Sequence, residues 1–145
     1  MRRIHLITGL LGVIAFLLTG QVMKHHYPRM EGLSVEVRMM YVSRHIYLLG
    51  ASLVNVVLGL YLEVHPRGWR RVLQQIASVV ILLSPLALLL AFFAEPAFGL
   101  AGRSWRSYIG LIGLFAGVMT HIVARAGLIS ASKKQTSRAE SSFRH

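Results

Sequence analysis

The chain has 145 residues, 54% of them apolar and only 14% charged, well below the quarter or so that is charged in a soluble domain, which excludes a water-soluble globule. It contains no cysteine, so a disulfide framework, a thiolate metal site and a Cys nucleophile are excluded too. The net charge of +11 does not point to nucleic acid, because Lys and Arg sit at the ends of apolar stretches, where anionic headgroups attract them, and not on one soluble face among aromatics.

Four apolar segments follow one another, each about the ~20 residues that a spanning helix needs. The first runs from about Ile4 to Met23 and the second from about Tyr41 to Val64, with a helical lead-in from near Ser34. The third covers about Val72 to Phe93 and the fourth about Tyr108 to Ile129. In hydrocarbon the backbone must satisfy its own hydrogen bonds, so these segments are helices. The expected fold is an all-α transmembrane four-helix bundle in one domain, residues 1–129. A basic, Ser-rich tail, residues 130–145, carries no apolar period and is expected to be disordered. The links hold turn residues: Pro66 and Gly68 in one, and Pro96, Gly99 and Gly102 in another. Arg2 and Arg3 before an apolar run resemble a signal peptide. Cleavage after Gly20 would place Leu18 where a small residue is preferred, so the segment reads as a retained span.

The flanks orient the chain. With the N-terminus inside, Arg2, Arg3, Arg67, Arg70, Arg71, Arg125, Lys133, Lys134, Arg138 and Arg144 lie inside, ten in all. Lys24, Arg29, Arg38, Arg44, Arg103 and Arg106 lie outside, which is six. The excess of basic residues predicts both termini in the cytoplasm. Trp69 and Trp105 fall in links at opposite faces, where indole rings favour the interface.

Polar residues inside a span mark the internal face, because a polar side chain in lipid is costly. On the second span Arg38, Tyr41, His45, Leu48, Ser52, Asn55 and Gly59 follow a 3-4 spacing that lines one stripe. On the fourth, Gly113, Gly117, His121 and Arg125 are four apart, and the two glycines permit close helix approach. At 1.5 Å per residue Asn55 and His121 both lie about 20 Å from the outer ends of their helices, with Ser78 of the third span near the same depth. Ser52, Asn55, Ser78 and His121 are thus expected to form a polar layer, either as hydrogen-bonding glue or as the wall of a ligand site. Glu63 and Arg125 continue their stripes and are expected to pair. Ser84-Pro85 predicts a kink in the third span. His25, His26, His45 and Glu95 gather imidazole and carboxylate groups toward the outer face and are the candidate metal ligands.

The stretch Arg44–Leu62, RHIYLLGASLVNVVLGLYL, resembles small four-span bacterial inner-membrane proteins of unassigned function. That resemblance implies a multi-pass protein of the inner membrane and carries over no activity. Four-span eicosanoid and glutathione enzymes are similar in size, but here Asn55 lacks the flanking Glu and Arg of their second helix.

Three classes of function remain. A non-catalytic accessory, sensor or assembly component needs only a packed bundle. A redox or cofactor-binding protein would use His45 or His121 toward haem or quinone. A membrane enzyme or small transporter would act on a lipophilic substrate. One haem cannot take both His45 and His121, because they differ in depth by about 15 Å. The sequence itself requires no cofactor. The partners it implies are the bilayer and a membrane protein or second copy of the chain.

Overall fold

The computed structural model describes residues 1–25, 30–63, 68–96 and 105–142, with side chains described as far as Ala124, Glu31 excepted. Its long helices are α1 (Arg2–His25), α2 (Val35–Tyr61), α3 (Trp69–Ala94) and α4 (Trp105–Ser142), with a 3-10 turn at Met30–Gly32 before α2. All four are long and apolar enough to cross a membrane, the spanning part of α4 being Trp105–Ala124. The protein is therefore a four-span, all-α membrane protein. The α4 backbone stays helical to Ser142, through most of the segment expected as a disordered tail.

Successive helices run antiparallel. Arg2 at the start of α1 donates to the Leu60 carbonyl at the end of α2, Gln74 of α3 donates to the Glu63 carbonyl, and Ser107 of α4 donates to Glu95 just past α3. One face of the bundle thus carries Met1 and the α2–α3 link; we call it the terminal face. The opposite face carries the other two links. Trp69 and Trp105 start α3 and α4 at these two faces, both exposed, with Arg70 and Arg106 placed over their rings. This is the amphipathic belt expected where hydrocarbon meets headgroups.

Packing is closest within two pairs, α1 with α2 and α3 with α4; α2 and α3 join the pairs. Small residues decide this, because apolar burial drives no association inside lipid and close van der Waals approach must do so instead. A methyl group on Gly59 would lie 2.6 Å from the Leu6 backbone, and one on Gly9 2.6 Å from the Val56 nitrogen. In the other pair, one on Gly117 would lie 2.6 Å from Ile81. Bulk at Gly59 must therefore separate α1 from α2. Gly59→Val is expected to lower stability by about 1–3 kcal/mol, read as a lower melting midpoint in detergent; an unchanged midpoint would refute that close approach.

The α2 stripe faces inward over its second half, where Leu48, Ser52, Asn55 and Gly59 are buried; toward the start of the helix Tyr41 and His45 are half-buried and Arg38 is exposed, and Met40 and Arg44 take the interior instead. The helix starts where the lead-in was expected, with the Ser34 hydroxyl accepting from the Val37 N–H. The α1 stripe is just as regular, with His5, Gly9, Gly12 and Thr19 all buried.

Candidate functional site: a polar layer contributed by all four helices

Helix α3 contains Pro85. Proline has no N–H, so the carbonyl four residues earlier, that of Ile81, has no donor at position 85. In a membrane such a carbonyl needs a partner from a neighbouring helix. Asn55 of α2 provides it: its Nδ2 donates to the Ile81 carbonyl at 3.0 Å and to its own helix at Ala51 at 2.9 Å. Asn55 Oδ1 then accepts from His5 Nδ1 of α1 at 2.8 Å. One buried amide therefore ties α1, α2 and α3 together.

Helix α4 adds His121, whose Nε2 shares a 3.1 Å hydrogen bond with the Ser78 hydroxyl of α3. His5, Asn55, Ser78 and His121 are all buried, one from each helix. Ser52 turns its hydroxyl back to the Leu48 carbonyl at 2.6 Å and packs against Gly12 of α1. The residues expected in the layer are thus interior, but their pairing differs from the expectation. Asn55 bonds His5 and the Pro85-freed carbonyl instead of His121, and His121 bonds Ser78. His5, one residue into the first span and one turn from Arg2 and Arg3, was not singled out in the sequence. The signal that could have found it is the spacing of His5, Gly9, Gly12 and Thr19, which matches that of the α2 stripe.

Beside this layer lies a cleft of about 370 Å³ between α2 and α4. Its wall is mostly apolar, including Val54, Val57, Leu58 and Val118, with Tyr61, His121, Gln74 and Glu63 as the residues that carry polar groups. The Glu63–Arg125 pairing falls on a side chain, that of Arg125, outside the described residues.

Near the opposite face Arg44 of α2 reaches Glu95, its Nε and Nη2 both 2.9 Å from Oε2. The Ser107 N–H donates to Oε1 at 2.9 Å and the Ser107 hydroxyl donates to Oε2. Glu95 thereby supplies an acceptor to the first turn of α4, where helix N–H groups have no internal partner and negative charge is favoured. Burial on its own would raise the Glu95 carboxyl, but the Ser107 hydrogen bonds, with the bond and charge of Arg44, outweigh it and hold the group below its ordinary value of 4.5.

Of the candidate metal ligands His25, His26, His45 and Glu95, the last has its carboxylate engaged by the Arg44 guanidinium and by Ser107. His25 is exposed at the end of α1, and His26 lies outside the described residues. His45 lies on Phe16, ring centroids 4.0 Å apart, with Nδ1 3.0 Å from Thr19 Oγ1. Among the described residues no three His, Asp or Glu side chains gather as a metal site. Arg44, counted at first only as a flanking charge, is the residue that the sequence reading missed here.

Comparison with protein-family models, curated proteins and solved structures finds no match to this chain, and the likeness of the Arg44–Leu62 segment identifies no family.

Proposed function

We propose that this four-span protein is a non-catalytic accessory or sensor component that takes a lipophilic ligand from the bilayer into the cleft between α2 and α4. The observation that carries this reading is the cleft itself: about 370 Å³, mostly apolar along α2 and α4, with Tyr61, His121, Gln74 and Glu63 supplying polar groups. Small-molecule sites combine such a volume with a few polar groups that fix orientation. An apolar body lying along Val54, Val57 and Val118 would place its polar head against His121.

The test is to purify the full chain in mild detergent and identify co-purifying lipophiles by native mass spectrometry. Val118→Trp fills the cleft and should remove the bound species while the helical spectrum and melting midpoint persist. Retention of the same species by that variant, or none bound to the wild type, would overturn the reading.

We further propose that the chain lies in a bacterial inner membrane with both termini cytoplasmic, supported by the ten-to-six excess of basic residues at the terminal-face flanks. A reporter fused after His145 should be active only in the cytoplasm; periplasmic activity would reverse the orientation.

A further inference from the structure

The hydrogen bonds of Asn55 fix the protonation of His5. Asn55 Nδ2 faces two carbonyls, Ala51 and Ile81, which can only accept. Flipping the amide would set an oxygen against both, so Oδ1 must be the atom that faces His5 Nδ1 at 2.8 Å. An amide oxygen accepts, so His5 Nδ1 carries a proton, and in a neutral ring the lone pair then sits on Nε2. That nitrogen is fully buried and has no hydrogen-bond partner among the described residues. A buried acceptor without a donor is strongly disfavoured, and in native proteins such an atom calls for a specific account. Asn55 ties His5 to the Ile81 carbonyl of α3, and Ser78, which bonds His121, stands one turn before Ile81 on the same helix, so the two pairs are neighbours in the layer.

We propose that His5 Nε2 is the acceptor of a buried site for a single hydroxylic donor, seated between His5 and the His121–Ser78 pair. An O–H is the fitting chemistry. It donates to the His5 lone pair, and its oxygen can accept in turn from an imidazole N–H or the Ser78 hydroxyl. It also brings no net charge into the layer. Two sources share this chemistry. One is a trapped water, for which two to four polar partners are the usual requirement. The other is the head hydroxyl of a lipophile in the α2–α4 cleft, whose wall includes His121; this source alone rests on the function proposed above.

Solid-state NMR on the full chain in phosphatidylethanolamine–phosphatidylglycerol bilayers tests the site without mutation. Ile4–His5 is the one Ile-His step in the sequence, so ¹³C-carbonyl Ile with ¹⁵N-His labelling selects His5 alone. The expected spectrum shows Nδ1 protonated, Nε2 bare, and Nε2 correlated with a hydroxyl proton. If that proton exchanges with bulk D₂O and survives both delipidation and Val118→Trp, the donor is water. If it vanishes with the co-purifying lipophile, the donor is the ligand head. A His5 ring protonated at Nε2, or a bare Nε2 with no hydroxyl proton beside it before and after delipidation, would overturn the proposal. Failure of the cleft reading looks different: no lipophile is recovered, while the His5 spectrum remains as described.

Discussion

Arg44→Met is expected to destabilise the folded protein by roughly 3–5 kcal/mol, because it leaves the Glu95 carboxylate buried without its counter-charge. Arg44 and Glu95 are both buried, so water cannot take over the guanidinium's role. Adding Glu95→Gln should recover most of the loss, since the uncompensated charge is gone and the glutamine oxygen can still accept from the Ser107 N–H. Adding Glu95→Met should recover less, because the first turn of α4 then loses its acceptor. Equal midpoints for the two double variants would mean that Glu95 does not support the start of α4. Acid gives an independent reading. The carboxyl is held below 4.5 in the folded protein, so its contribution is fully present above that value and is lost as pH falls through the lower folded value. Melting midpoints of the wild type should therefore drop on acidification below about 4.5, while Arg44→Met/Glu95→Gln should lack this component.

A second large effect is expected at Asn55. Asn55→Leu strands the His5 Nδ1–H and the Ile81 carbonyl together, and an unmet buried polar group costs about 1–3 kcal/mol. Interhelical hydrogen bonds in membranes average only ~0.6 kcal/mol, because the separated helices satisfy themselves in other ways. Here one of those ways is closed: Pro85 has no N–H to give the Ile81 carbonyl. Pro85→Ala restores an N–H at that position, so Asn55→Leu should cost about 1 kcal/mol less in the Pro85→Ala background than in the wild type. Additive costs would show that the amide and the proline are not coupled.

Much of the bundle was legible because length and apolarity dictate spans, and because a polar residue in hydrocarbon must turn inward. That argument placed Ser52, Asn55, Ser78 and His121 in the interior. It could not say which side chain meets which, because depth along a helix leaves open which neighbour it faces. Asn55 and Pro85 were each conspicuous. Their connection depends on α2 bringing its amide beside Ile81, and no spacing within α2 or α3 encodes that. Arg44, counted as a flanking charge, and Glu95, grouped with nearby histidines, were not paired in the sequence for a related reason. Charges near a helix end look solvated in a sequence, and burial appears only when α2, α3 and the start of α4 close over them.

The two tight helix pairs have a consequence for how the chain is made. The first pair can close on the ribosome before α3 emerges, since Gly9, Gly12 and Gly59 let α1 and α2 meet directly. Its Asn55 amide then has one hydrogen still facing lipid, while α3 enters with the Ile81 carbonyl bare. Each half presents the complement of what the other lacks, and neither can find it within itself. Cut in the link after Glu63, the halves should still recognise one another when synthesised as separate polypeptides.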